Sequence, residues 1–427
     1  MLRSVKKTVA FFAAASLSLL ACSSSKGTTG GPASTSGADA GATFTSYPPS
    51  PTTWIMKATA PASDEIFKCQ YVSMPATPGW VVGGKNEFTV GSHHLLLYKT
   101  DLTAIPAGED GVGDCYEGDD GGPTPDFMNH IRGVVYPSAT PVQTLTFPAA
   151  VGLPYVANEV YLFQVHYLNA TATDINAEVD VHLDIVSSGI TTNAGVLFFY
   201  DPFIDVLPNA TAKAGMRCPI PNDITVFTSG SHQHARGVGV QAYVDTSTAA
   251  TTPFYTSTNW ASPTVDTTSF QVKAGSFIRY YCDYDNTQGP SEYIQGPSAD
   301  VNEMCMFIGM YYPAMTTDVE QCDNGDEYGT GTTSCLDTLN TLQTCPEEDP
   351  GPEGINFTEC VQKAFVSSCP NVSAPLTTFL NCSSTSCSAQ CGSGGPDAGT
   401  TTSACTSCIT ANCASQYLAC SGLTGCN

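Results

Sequence analysis

The chain is short of charge, and of basic charge above all. Only 13% of its 427 residues are charged, and 15 Lys and Arg stand against 39 Asp and Glu, a formal net charge of −24. So acidic a chain argues against nucleic acid as a partner. Low charge beside 42% hydrophobic residues excludes a disordered chain and suits a folded, sheet-rich exported protein. Beyond the N-terminus no apolar run is long enough to span a bilayer. Helical periodicity is nearly absent between 51 and 320, which excludes a helical bundle there. Histidine is scarce, 7 in all, so its clustering carries information.

What is present begins with a targeting segment. Arg3, Lys6 and Lys7 precede the apolar stretch "VAFFAAASLSLLA", which ends in "LLAC". That ending resembles a bacterial lipoprotein box, so residues 1–21 are expected to be removed and Cys22 lipidated. Ser23 in place of an acid points to the outer membrane of the cell envelope. The alternative is an ordinary signal peptide and a secreted protein. Residues 22–50, rich in Gly, Ser, Thr and Pro, read as a flexible tether. The membrane contact expected is through the lipid alone.

From 51 to about 320 the pattern is strands. "NEFTVGSHHLLLYKT", "NEVYLFQVHYLN", "AEVDVHLDIV", "AGVLFFYD" and "GSFIRYYCDYDN" are β-branched and aromatic, with period-two stretches divided by turn residues. The fold class expected is mainly β: two tandem jelly-roll-like sandwiches over 51–187 and 188–324, breaking near "SSGITTNAG". From Cys322 on, 13 of the 19 cysteines crowd into the C-terminus, 12 of them beyond residue 324. Segments such as "FTECVQKAFVSSC" have helix-like spacing, so 325–427 reads as a small disulfide-stapled helical appendage. Thiolate metal binding is the alternative there. With no ligand motif in it, the tail is expected to be dispensable for the chemistry of the sandwiches.

Five histidines fall in three clusters inside the strand patterns: His93 and His94 in "GSHHLLLYK", His166 in "FQVHYLN", His232 and His234 in "SHQHARG". Residues two apart on a strand share a face, so His232 and His234 can grip one metal. Neighbours face opposite ways, so His93 and His94 share a metal only if the strand bends or they use different ring nitrogens. Imidazole suits zinc or copper, and a thioether tips the choice to copper. Met304, in "VNEMCMFIGMYYP", could supply one. His130 and His182 fit no cluster, and the carboxylates of "GEDGVGDCYEGDDGG" fit no calcium-loop spacing.

In order and spacing, "HHLLLY", "QVHY", "HQH" and "EMC" followed by "MYYP" resemble the type II copper, ascorbate-dependent monooxygenases over about residues 65–320. The resemblance implies two copper ions in two domains across a solvent-filled cleft. His93, His94 and His166 would hold the first, which passes an electron. His232, His234 and Met304 would hold the second, which binds O2 and attacks a substrate C–H bond. Gln164 would lie near the electron path. Ascorbate or another one-electron reductant would be the co-substrate. The resemblance also implies disulfides Cys282–Cys305 and Cys218–Cys322. Cys69 matches a family cysteine whose partner is missing here, which leaves Cys115 for it within the sandwiches. Where the peptide-amidating relatives grip a carboxylate, this chain has Gly230, Met306 and Ile308. None can bind one, so a small uncharged or aromatic substrate is expected. Competing readings are a non-catalytic surface copper-binding or adhesion lipoprotein, and a zinc hydrolase, which lacks an evident general base.

Overall fold

The computed structural model describes residues 47–115, 127–296, 298–315, 322, 328–345, 357–391 and 402–426. The signal segment, Cys22 and most of the tether lie outside the described residues, as do 116–126 of the acidic loop.

Two sheets form the first sandwich. One runs Thr53–Ala60, Ile175–Val186, Gly79–Phe88, Val151–Tyr155, Thr192–Asn193, with Val142–Thr146 also on Gly79–Phe88. The other runs Gly113–Asp114, Asp64–Ser73, Val160–Asn169, Ser92–Thr100, Ile131–Ser138. Val160–Asn169 is central and buried almost throughout, as its near-continuous apolar sequence requires. Its polar members Gln164 and His166 are buried with it.

The chain crosses at Ala194. The second sandwich has one sheet of Gly195–Tyr200, Met306–Tyr312, Ile224–His232 and Phe270–Val272, and another of Thr211–Ile220, Ser276–Asp285, Gly237–Asp245 and Tyr255–Ser257. The first of these is apolar on both faces. Leu197, Phe199, Phe307 and Tyr311 point into the second core, while Val196, Phe227 and Met310 join the core of the first sandwich. Phe147 and Phe227 meet across the seam at 5.1 Å. Alternate residues face opposite ways, so a sheet with apolar residues on both faces has to be covered on both. In place of the cleft that the resemblance implies, the sandwiches are joined here by an apolar seam.

Three disulfides lie in the sandwich region: Cys69–Cys115, Cys218–Cys322 and Cys282–Cys305. The tail is helical, with helices Cys335–Thr344, Phe357–Val366, Ser373–Cys391, Thr402–Asn412 and Ala414–Ser421. Ser334 caps the first by accepting the Asp337 N–H. Disulfides staple the tail internally, among them Cys335–Cys420, Cys345–Cys360, Cys369–Cys426, Cys382–Cys413 and Cys387–Cys408. The tail is not a separate unit, however. Its core is continuous with that of the second sandwich, and Phe203 packs against Tyr328 and Phe365 at 4.6 and 4.5 Å. Lys363 adds an ion pair to Glu292 at 2.8 Å. The helical, disulfide-stapled tail is as expected from its cysteines, but it shares a core with the second sandwich, and removing it would uncover the buried Phe203.

Candidate metal centre

Strand register explains the adjacent histidines. Ser92 pairs with Tyr167 and His94 with His166, so two steps on one strand meet one step on the other. His93 is the extra residue, accommodated by a bulge. The bulge turns His93 to the side of His94, and the two rings lie 5.1 Å apart. His166 stands opposite on the central strand, 5.2 Å from His93 and 5.0 Å from His94. His232 is the last residue of its strand, opposite Met306. His234 lies beyond the strand end, with its ring 5.1 Å from that of His232.

The two sets meet. His232 lies 4.9 Å from His94 and 5.8 Å from His93, ring to ring. One nitrogen each from His93, His94 and His232 falls within 4.8 Å of the others. The expectation of two sets held apart is therefore corrected: the closed seam brings five histidines from both sandwiches into one cluster.

All five are buried, and each keeps one buried nitrogen with no hydrogen-bond partner: Nε2 of His93, His232 and His234, Nδ1 of His94 and His166. Neighbouring His93 and His94 thus offer different ring nitrogens as well as a bulged strand. An unsatisfied buried polar atom costs about 1–3 kcal/mol, and five in one place call for a shared partner. Burial, reinforced by the neighbouring rings, holds His93, His94 and His234 well below the ordinary imidazole range and His232 at about 3. Neutral imidazoles with free lone pairs are what a metal ion needs.

The surroundings fix the ligands. Phe67 stacks on His166 at 3.9 Å, and His166 Nε2 is 2.8 Å from a Glu65 oxygen. His234 Nδ1 lies 3.2 Å from the Asn302 carbonyl, and its backbone N–H donates to Glu303 at 3.0 Å. Met304 is buried beside Glu303, its carbonyl accepting from the Tyr284 hydroxyl at 2.8 Å. The Cys282–Cys305 bond secures the next residue. Gln164 is buried two residues before His166, within reach of the Tyr98 hydroxyl at 3.3 Å. His130 pairs with Asp101, and His182 with Thr53, both away from the cluster.

Gly230 stands opposite Ile308 and His232 opposite Met306, so the positions of the relatives' carboxylate grip are neighbours that offer no cation. Arg236 does not replace it. Its Nε bonds Glu303 at 2.8 Å and its guanidinium covers the Tyr293 ring. Half-buried Trp260 reaches His93 at 5.5 Å. Sequence reasoning missed Glu65, Phe67, Asn302 and Trp260. Only Glu303 had a signal, its place in "EMC".

Acid should loosen the copper-free protein. The four lowered histidines bind protons more readily unfolded, near pH 6.5, than folded. Their stabilising contribution is complete above about pH 6.5 and is lost as pH falls toward the folded values, by up to about 1.4 kcal/mol per pH unit for each. Denaturant melts at pH 7 and pH 5 check this. A His94→Gln variant should show a shallower slope, and a flat wild-type profile would contradict the burial argument.

Residues 208–330 match the model for the copper type II ascorbate-dependent monooxygenase C-terminal domain. No curated protein matches the chain. Among solved structures, PNGase F, a glycosylasparaginase from Flavobacterium meningosepticum, is 9% identical, with 61% of this chain and 94% of that one covered and a TM-score of 0.27. PNGF-II is 10% identical, with 62% and 60% covered and a TM-score of 0.19. These likenesses are too slight to bear on the argument. The matched domain spans His232, His234 and Met304, three of the residues singled out by motif. Over residues 208–330, then, this chain is similar to the C-terminal domain of the copper type II ascorbate-dependent monooxygenases.

Proposed function

We propose that this protein is an exported, lipid-anchored copper monooxygenase of the bacterial cell envelope. It would hydroxylate a C–H bond of a small uncharged or aromatic substrate with O2 and ascorbate or another one-electron reductant. His93, His94, His166, His232, His234 and Met304 would hold two copper ions. The observation that carries this reading is the convergence of five buried imidazoles, each with an unpartnered nitrogen, in a chain with a copper monooxygenase domain.

Copper bound there would supply the one-electron and O2 chemistry. The protein's part is to hold neutral donors in place and keep bulk water out. The bulge at His93, the stack of Phe67 on His166 and the bond from His234 to Asn302 orient three rings. All five rings are buried from solvent. Arg236 is engaged by Glu303 and so is not free to recognise a substrate carboxylate, which supports an uncharged substrate. The Trp260 ring offers such a substrate an apolar surface.

The test is copper analysis joined to O2 consumption with ascorbate. Copper bound with reductant-dependent O2 uptake is expected. Copper bound without uptake would favour a surface copper-binding protein, and zinc retained in preference to copper would favour a hydrolase.

A further inference from the structure

A second link joins the two halves of the cluster. Glu65 sits on strand Asp64–Ser73, where its neighbour Phe67 pairs with His166. The Glu65 side chain is only 16% exposed. One oxygen faces His166 Nε2 at 2.8 Å and also accepts the Ala299 N–H at 3.1 Å. The other accepts the Ser298 hydroxyl. Ser298 and Ala299 belong to the second sandwich, 233 and 234 residues further along the chain.

They open the turn that delivers the second set of ligands. Ser298 Oγ accepts the N–H groups of Asp300 and Val301 at 3.3 and 3.2 Å. Arg236 donates to the carbonyls of Ala299, Asp300 and Asn302 at 2.8, 2.7 and 3.0 Å. Asn302 and Glu303 in turn hold His234, and Met304 follows. Arg236 thus grips residues 298–303 from the second sandwich, and Glu65 grips them from the first.

An ionised carboxylate only accepts hydrogen bonds. Facing Glu65, His166 must carry its proton on Nε2, which leaves the Nδ1 lone pair for the cluster. That is the nitrogen without a protein partner. We propose that Glu65 is an interdomain positioning residue: it fixes the tautomer and orientation of His166 while tying the first sandwich to the turn that sets His234 and Met304. Its value to metal binding rests on the copper reading above. The clasp itself does not, and it can be tested in metal-free protein.

Three readouts on the full chain test it. In metal-free Glu65→Ala, amide exchange over 298–303 should rise at least about 10-fold, because the turn loses one of its two anchors. The 15N shifts of His166 should move from a single tautomer to a mixture. Cu(I) affinity, by chelator competition, should fall about 10- to 100-fold, as for other outer partners of ligand histidines. Glu65→Gln keeps one oxygen for His166 and Ala299 and can donate its amide to Ser298, so it should restore most of the exchange protection. Ser298→Ala should speed exchange in the turn and leave the His166 tautomer alone; it carries the test if Glu65→Ala does not fold. Wild-type exchange and a wild-type His166 spectrum in Glu65→Ala would overturn the proposal, as would wild-type exchange in Ser298→Ala. Should those metal-free changes occur in a protein that binds no copper at all, the clasp stands and the copper reading falls.

Discussion

His232→Ala should strip copper from both histidine sets, while His234→Ala spares one. Independent sites would give a different result: either change would damage one ion and leave the other. The geometry decides between these outcomes. His232 is in ring contact with His93, His94 and His234, and its nitrogen completes the trio that spans both sandwiches. His234 contributes no nitrogen to that trio and is anchored to Asn302 from behind. Losing a direct ligand should cost more than the 10- to 100-fold typical of an outer partner, so His232→Ala is expected to weaken affinity by more than about 100-fold. After challenge with a competing chelator, it should keep well below about one copper per chain and His234→Ala close to one. Equal retention of one ion by both variants would show that the two sets act separately despite their contact. The readout is copper per folded chain, with circular dichroism to confirm that each variant is folded.

Much of this was legible in the sequence, for identifiable reasons. Period-two apolar patterns and turn residues mark a sheet protein, and the protein is mainly β with a Cys-rich helical C-terminal region. The histidines drew attention because they are few and clustered inside strand patterns. The sequence raised the condition for His93 and His94 to share a metal but could not resolve it. A bulge depends on the register between two strands far apart in the chain, and only the pairing of Ser92 with Tyr167 and His94 with His166 reveals it. The closed seam was hidden for a related reason. "GVLFFY" reads as a strand, but its sequence does not say whether its second apolar face meets a neighbouring sandwich or a ligand-filled cleft. Glu65 left no trace because it acts on a turn more than 230 residues away. Arg236 was noticed for its position beside the histidine pair. Its engagement by Glu303 and three carbonyls depends on a turn more than 60 residues away.

Deleting the chain beyond about residue 325 is expected to destabilise the second sandwich severely, although no proposed copper ligand is removed. The tail's Tyr328 and Phe365 are fully buried, and with them Phe203, which belongs to the sandwich. Ile204 and Val206 are buried in the same continuous core. Uncovering three such side chains costs about 1.5–3 kcal/mol each when burial is fully lost, against a total stability of about 5–15 kcal/mol for a domain. Several kcal/mol corresponds to a fall in Tm of about 10–20 °C for a domain of this size, or to a chain that aggregates on expression. The tail's internal disulfides cannot compensate, because they leave with it. A point variant isolates the packing from the covalent links. Phe365→Ala in the full chain should cost about 3–5 kcal/mol with all disulfides intact and copper binding retained per folded molecule. Lys363→Ala, which breaks only the partly exposed pair with Glu292, should cost at most about 1 kcal/mol. Thermal melts of the truncated chain and the two point variants, with and without copper, give the comparison. A truncated protein that melts with the full chain would mean that Phe203 finds other cover and that the tail is a passenger. A large loss in both the truncation and Phe365→Ala would make the helices a structural half of the second domain's core.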